Sequence, residues 1–527
     1  MSAVSTRGSR LWTRWSGVVV GALAFVLALP LLVVLSSPLH TAAKDWGHVA
    51  TNILPSYAWE TVLLLFGVLV LGLLIAVPTA WFVICFAFPG RRFFRWALVM
   101  PLALPTYISA YAYAGLLGPT GTLTNALDTS FGLRPDIVGL PGLCFVLAFV
   151  LSPYIHLPAR AAFAQGMRRP LDAARVLGAS PWRRFRSVAL PLARPAIAGG
   201  ALLMAMETLN DYGAVKYYGV RTLTTGIFRS WGGLYDLGSA LRLCMVLLGM
   251  IALLMWIERQ AQRNIPRATD QVPIRPVRLR TVQAWSITLW CSLIVLFGAG
   301  LPMYKIVGDV FADIGVREWS ASLPAFGNTL FVAFLSAICT LVVGILFTFR
   351  DRYYPRSRSA TRIAGLGYAI PGAVIAISVM ALAGAVDRQD LFEAALIGSV
   401  GILIYAFTVR FLAVAMQPLA GNLQQQPRSY DEAARLSGAT PWQAFRRVNL
   451  PILRPALLSA ALLVSIDVIK ELPLTLILRP FNFETLSTRT YGLASIEQLQ
   501  QASWPALLIV ICGSVPVLLL ERFLARN

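Results

Sequence analysis

The chain alternates long apolar stretches with short polar, basic segments. A helix that crosses a bilayer needs about 20 mostly apolar residues. Twelve stretches reach this length, and they predict an all-α, polytopic membrane protein with about twelve transmembrane helices. Their approximate limits are 17–37, 58–86, 95–118, 137–164, 190–214, 237–257, 282–304, 324–349, 362–386, 393–417, 451–478 and 502–523.

Two polar islands interrupt this pattern with nearly the same sequence. One runs from Asp172 to Pro195 and the other from Glu432 to Pro455, and 14 of the 24 aligned positions are identical without a gap. Each island lies between the fourth and fifth spans of a set of six, which predicts two parallel six-helix repeats. We place the first half at 1–258, a basic cytoplasmic linker at 259–281 and the second half at 282–527.

Each island is predicted to form a helix, a glycine turn and a second helix. Asp172–Leu177 favours a helix, Gly178 suits the left-handed conformation that ends one, and Ser180 can cap the next. A single copy could be an amphipathic loop lying on lipid headgroups, whereas two copies favour docking onto a two-fold partner. The candidate residues, in islands at about 166–190 and 426–450, are Asp172, Ala173, Ala174, Gly178, Ser180, Trp182, Phe185, Glu432, Ala433, Ala434, Gly438, Thr440, Trp442 and Phe445.

Charge indicates the orientation of the chain. Of 527 residues, 57% are hydrophobic and 13% are charged, and the net charge is +21; soluble domains carry about 25% charged residues. With a cytoplasmic N-terminus, 33 of the 45 Lys and Arg, Arg410 among them, fall in cytoplasmic segments and span ends, 11 fall outside, and Lys470 lies within a span. This distribution is typical of a membrane protein with both termini in the cytoplasm. It does not indicate nucleic-acid binding.

Carboxylates occur inside two of the predicted spans. Glu207 and Asp211 lie in the fifth span, and Asp467 and Glu471 follow at the same offset of 260 residues. A spacing of four places each pair on one helix face, and ionisable groups in spans are functional candidates. We therefore predict that these four, with Lys470, belong to a translocation pathway or gate. Solvated helix ends or structural ion pairs, with Lys470 as the partner, remain the alternative.

The islands resemble a known family. Ala173-Ala174, Gly178 and Leu190-Pro191, repeated in the second island, are similar to the "EAA" coupling loop of binding-protein-dependent ABC importer permeases. Glu432 keeps the family's glutamate, and Asp172 replaces it in the first copy. The resemblance implies the type I ABC importer permease fold, with both halves fused, in a bacterial cytoplasmic (inner) membrane.

The resemblance also suggests a solute and partners. Leu209–Gly219, Thr224–Phe228, Lys470–Thr475 and Arg479–Thr485 look most like the iron(III) permeases. The family implies that an external or periplasmic binding protein delivers solute, and that a homodimer of cytoplasmic ATPase subunits, which binds ATP and Mg, grips the two coupling loops. Thiamine or another small solute is an alternative. An ion-coupled secondary transporter, a different class, also has parallel repeats.

The chain itself is not predicted to be an enzyme or to hold a cofactor. A phosphate-binding P-loop needs Gly-Lys, and no lysine here follows a glycine. The six cysteines all lie in apolar spans, as expected of small buried hydrophobes. His40 and His48 are placed in the first external loop, where a loose external site is the alternative to solvated side chains, and we predict no metal site.

Overall fold

The computed structural model describes residues 5–40, 43–164, 167–262, 276–312, 316–353, 358–390 and 395–526. The side chain of His40, most of the linker at 259–281 and residue 166 of the first island lie outside this description. The described part of the chain is almost entirely helical, as predicted.

Among the described residues, fourteen α-helices begin before the linker, and the last of them extends into it as far as Gln262. They are α1 (Ser5–His40), α2 (Trp46–His48), α3 (Leu54–Cys85), α4 (Arg91–Ala97), α5 (Thr106–Leu117), α6 (Thr122–Phe131), α7 (Leu140–Leu151), α8 (Pro153–Ala164), α9 (Arg168–Val176), α10 (Pro181–Arg184), α11 (Leu190–Asn210), α12 (Gly213–Tyr217), α13 (Leu223–Phe228) and α14 (Leu237–Gln262).

Thirteen more follow it among the described residues. They are α15 (Thr281–Val295), α16 (Leu301–Ala312), α17 (Val316–Tyr353), α18 (Arg358–Ala364), α19 (Gly372–Asp387), α20 (Val400–Gln425), α21 (Arg428–Leu436), α22 (Pro441–Ala444), α23 (Leu450–Ile452), α24 (Arg454–Lys470), α25 (Pro473–Leu478), α26 (Leu486–Ser495) and α27 (Leu499–Arg526). Short π-helical segments at Val49–Ile53, Phe185–Ala189, Arg229–Gly233, Leu296–Gly300 and Phe445–Asn449 and 3-10 turns at Met100–Ala103 and Gly365–Ala369 join some of them.

The twelve predicted spans are not twelve straight helices. Among the described residues, seven helices are long and apolar enough to cross a membrane, and there are up to eleven if each of four bent pairs counts as one span. The last predicted span falls on α27, whose described apolar part is the shorter helix Leu499–Ser514. Apolar length therefore located the spans but did not reveal where they break.

Proline explains two of the sharpest breaks. The helices on either side of Pro105 meet at 94°, and those on either side of Pro371 meet at 112°. Both prolines immediately precede a helix, α5 or α19, and have extended backbone angles. Proline has no N–H to donate and disfavours helix in the residue before it, so a span stops there.

The first helix of each half packs against the other half. α1 contacts α17, α18 and α19, and the Tyr405 hydroxyl donates to the Val26 carbonyl at 2.6 Å. In return α15 contacts α3 and α4, and the Thr288 hydroxyl donates to the Pro89 carbonyl at 3.1 Å. A two-residue parallel pair, β1 (Phe86–Ala87) with β2 (Val277–Arg278), lies beside this contact. The predicted halves are thus interlocked.

Hydrogen bonds at Asp236 connect two segments on the face of the protein opposite the islands. Its carboxylate accepts from the Asp45 amide at 3.1 Å and from the Ser239 hydroxyl at 2.6 Å. Partial burial opposes ionisation, but these hydrogen bonds keep the pKa of Asp236 below its usual range. The ionised side chain also caps the start of α14, a favourable place for negative charge.

Candidate coupling surface and translocation cavity

Both islands fold as a helix, a left-handed glycine and a second helix. α9 and α21 end just before Gly178 and Gly438, whose φ angles are +76° and +79°. Ser180 then accepts a hydrogen bond from the Arg183 amide at 3.3 Å. The first helix begins earlier than predicted, at Arg168. Pro170 lies in its first turn, where the backbone N–H groups make no helical hydrogen bond, so the proline does not interrupt the helix.

The candidate residues of the islands divide by exposure. Most face outward, and the hydrophobic Trp182, Val176 and Leu436 are 67%, 87% and 91% exposed. The exposed candidates are Asp172, Ala173, Gly178, Ser180, Trp182, Glu432, Ala433, Gly438 and Thr440; Ala174, Phe185, Ala434 and Trp442 are half-buried, and Phe445 is buried. Outward apolar side chains on a polar surface are typical of a protein contact.

The two phenylalanines attach the islands to the membrane helices. Phe445 is fully buried, and its ring centre lies 4.9 Å from that of Phe349 on α17. Phe185 makes the corresponding contact with Trp81 on α3 at 5.2 Å. Phe185 and Phe445, which were predicted as docking candidates, therefore attach the islands to the membrane helices, and the sequence pattern alone could not distinguish attachment from docking.

The second island has an additional polar attachment. Asp431 on α21 lies 2.7 Å from the Arg352 guanidinium, and both side chains are nearly buried. The Tyr353 hydroxyl lies 2.8 Å from the same carboxylate and 2.9 Å from the Asn449 amide oxygen. At the equivalent positions, 260 residues earlier, the first island has the buried apolar residues Leu171 and Ala189. The two docking surfaces are thus alike outside and held differently inside.

We expect Asp431→Asn to loosen the second island, lowering the free energy of unfolding by about 3–5 kcal/mol because it leaves Arg352 buried without a charged partner. Asp172→Asn is the matched control. Its carboxylate is 64% exposed and 3.7 Å from Arg168, and such pairs contribute about 0–1 kcal/mol. Thermal unfolding and limited proteolysis of the purified variants would measure both. Equal behaviour of the two variants would contradict the assigned anchor.

A central cavity of about 110 Å³ lies between the halves and collects the predicted intramembrane charges. Glu207, Asp211, Asp467, Lys470 and Glu471 all line it. The other lining residues include Pro105, Thr106, Tyr107, Val150, Tyr154, Asn210, Tyr212, Tyr368 and Arg410. The offset of 260 therefore relates side chains that meet in one space.

Each carboxylate pair was predicted to share one helix face, but in the structure the helix ends between the two residues of the pair. α11 ends at Asn210 and α24 at Lys470, so Asp211 and Glu471 are the first non-helical residues. Asp211 Oδ1 accepts from the Ala214 amide at 2.9 Å and thereby caps the next short helix. Asp211 and Glu471 therefore reach the cavity from the ends of two helices rather than from a helix face.

Arg410 is a functional candidate that sequence reasoning missed. It was counted with the cytoplasmic span ends, but its side chain is 7% exposed and lines the cavity. Its guanidinium lies 3.3 Å from the Glu471 carboxylate and donates to the Ile370 carbonyl at 2.9 Å. Its place ten residues into α20, in an apolar context, was the available signal.

Two hydrogen bonds cross between the halves beside the cavity. The Asn210 amide oxygen accepts from the Gly372 amide at 2.8 Å, and Lys470 Nζ donates to the Leu102 carbonyl at 2.6 Å. Asn210 and Lys470 are equivalent by the offset of 260, and each reaches the broken span of the opposite half. Lys470 thus serves as a backbone donor, where an ion pair with Asp467 or Glu471 was the expected alternative.

Lys305 forms a largely buried ion pair. Its ammonium is 2.5 Å from Asp309 on the same helix, and both side chains are largely buried. The Ser503 hydroxyl donates to the same carboxylate at 3.1 Å. This pair packs where α16 meets α5 of the first half, so it contributes to the interlocked arrangement.

Similarity to known proteins agrees with the repeat. The family model described as the binding-protein-dependent transport system inner membrane component matches residues 69–265 and 329–527. The chain is 26% identical over 452 residues to an Fe(3+)-transport system permease of Haemophilus influenzae, covering 83% of this chain and 84% of that protein.

Two further relatives show the range of the family. A ferric transport system permease of Actinobacillus pleuropneumoniae is 23% identical over 419 residues, covering 74% of this chain and 59% of that protein. A sulfate transport system permease of Escherichia coli is 28% identical over 212 residues, covering 39% of this chain and 71% of that protein.

The two segments that match the family model begin 260 residues apart, and each contains one island. The chain belongs to the family of inner-membrane components of binding-protein-dependent transport systems.

Proposed function

We propose that this permease is the pore of an ATP-driven importer of iron(III). An external binding protein delivers the ion, and the ion passes through the central cavity. The single observation that carries the proposal is the cavity, because residues from both halves line it next to helix breaks in each half. Relatives that cover most of the chain and are named for iron(III) transport support the choice of solute.

The chemistry of the cavity suits a hard cation. Carboxylate and phenol oxygens line it, and four carboxylates outnumber the two cations Arg410 and Lys470. Hard cations prefer oxygen ligands. Among the described residues no three His, Cys, Asp or Glu side chains are arranged to hold a metal ion. The cavity is therefore better suited to passage than to permanent binding.

Two identical ATPase subunits would dock on the two islands and supply ATP and Mg. The islands' shared outer surface supports this stoichiometry, since the helix, the left-handed glycine and the exposed hydrophobic residue recur in both. The positive-inside distribution supports an orientation with both termini and both islands in the cytoplasm. In that frame the binding protein meets the opposite face, which carries Asp45 and Asp236.

We expect vesicles containing the permease, its ATPase and its binding protein to accumulate ⁵⁵Fe(III) only when ATP and the loaded binding protein are present. A proton uncoupler or a sodium ionophore should leave initial rates unchanged, because ATP hydrolysis supplies the driving force. Radiolabelled thiamine offered in the same way is the solute control. Thiamine uptake in place of iron would contradict the solute. Gradient-driven uptake without ATP would contradict the importer class.

A further inference from the structure

A second, outer cavity of about 470 Å³ adjoins the central one. We call it the vestibule. It lies on the face proposed to be external, since it is built from the start of α3 and the segment between α11 and α14. Its lining residues include Tyr57, Tyr212, Lys216, Arg221, Phe228 and Arg229. Tyr212 lines both the vestibule and the central cavity, so its side chain stands between the two spaces.

Tyr212 is held by one aromatic ring from each half. Its ring stacks on Phe228 of the first half, with centroids 3.6 Å apart and planes 16° apart. It also lies 5.7 Å from the ring of Tyr491 in the second half, with the two hydroxyl oxygens 3.4 Å apart. Tyr212 itself is 8% exposed. The side chain therefore closes the boundary while contacting both halves.

Phe228 and Tyr491 are equivalent residues in the repeat. Each lies six residues after the threonine of a capping box, Thr222 in the first half and Thr485 in the second. The residue equivalent to Tyr212 by the offset of 260 is Leu472, which is buried and lines the central cavity but is not among the lining residues of the vestibule. One tyrosine thus fills the gap between a symmetric pair, and the second half supplies no corresponding ring.

We propose that Tyr212, closed by Tyr491, is the external gate of this permease. The proposal rests on the proposed function, in which the central cavity is the pathway. The stack with Phe228 stays within one half, whereas the contact with Tyr491 crosses between halves. A long hydroxyl–hydroxyl contact is weak, so separation of the halves breaks it at little cost. Tyr212 also directly follows Asp211 at the end of α11, so movement of that helix end moves the gate.

Access to the cavity from outside tests the gate without reference to the solute. Thr106→Cys places a small thiol in the cavity lining. In right-side-out vesicles with the ATPase and no nucleotide, a membrane-impermeant cationic methanethiosulfonate reagent should modify this cysteine slowly. Adding Tyr212→Ala should speed modification at least tenfold. The parent chain without Thr106→Cys corrects for its six native cysteines.

Three companion variants keep the test decisive. Tyr235→Ala is the matched control, since this tyrosine is 89% exposed on the same face. Tyr491→Phe and Tyr212→Phe keep the rings and lose only the hydroxyl contact, and each should raise the rate severalfold in a folded protein. The proposal would be overturned if Tyr212→Ala, Tyr212→Phe and Tyr491→Phe all gave the same rate of cysteine modification as Tyr235→Ala. Because labelling needs no solute, this result would stand even if iron(III) proved to be the wrong solute.

Discussion

Arg410→Ala is expected to abolish transport and to lower the free energy of unfolding by about 3–5 kcal/mol. The Arg410 and Glu471 side chains are 7% and 6% exposed, and their charged groups lie 3.3 Å apart. Removing the cation leaves a buried carboxylate that accepts a hydrogen bond from the Leu474 amide at 3.4 Å but has lost its ion-pair partner. An isolated buried charge is among the most destabilising changes in a protein. The Arg410→Ala substitution also removes the hydrogen bond to the Ile370 carbonyl, which directly precedes the break at Pro371.

A charge-neutral double variant separates stability from transport. Arg410→Met with Glu471→Gln removes both charges, and replacing a buried pair with neutral groups is often harmless to stability. We expect thermal unfolding near that of the parent chain and no uptake, because the cavity has lost one of its two cations and one of its four carboxylates. Arg388→Ala, an exposed arginine at the end of α19, is the control. Normal transport by Arg410→Ala would exclude a role for the pair in the pathway.

Gly178→Val and Gly438→Val are expected to abolish binding of the ATPase while the membrane helices stay folded. Both glycines have φ near +77°, a region that β-branched residues rarely enter. A Cβ added at either position would meet no atom within 4 Å. The expected defect is therefore a displaced turn rather than a disturbed core. Co-purification with the ATPase, measured beside circular dichroism of the permease, should fall at least tenfold.

Two further variants distinguish the shape of the turn from the chemistry of the surface. Asparagine tolerates the left-handed conformation, so Gly438→Asn should retain most ATPase binding. Leu436→Glu keeps the turn and places a charge on a side chain that is 91% exposed, so it should prevent docking. Leu133→Glu makes the same change at an exposed site on the opposite face and should have no effect. Assembly that survives Gly438→Val and Leu436→Glu alike would refute docking at the islands.

Local rules predicted the islands well because their conformation depends on near neighbours. A glycine that ends a helix and a Ser or Thr that caps the next one act within a few residues. Gly178, Gly438, Ser180 and Thr440 accordingly have the predicted conformations. Repetition at one offset also paired the intramembrane carboxylates, since duplicated sequence implies duplicated structure.

The same rules failed for Arg410, which was counted with the cytoplasmic segments and span ends because of its position near the end of an apolar run. A span's ends cannot be located to within a turn from hydropathy, and a buried arginine is tolerated when a carboxylate from another helix neutralises it. Glu471 is 61 residues away in sequence, and no local pattern connects it with Arg410.

The sequence by itself determined the all-helical membrane class, the two parallel halves, the islands and the family, because each is recorded in composition, periodicity or repetition. Only the tertiary structure decided which side chains share the cavity, which island has a polar anchor, and that each half's first helix packs on the other. These depend on contacts between residues far apart in the chain. The gate is the clearest example, since Tyr212, Phe228 and Tyr491 meet only when the two halves are packed together.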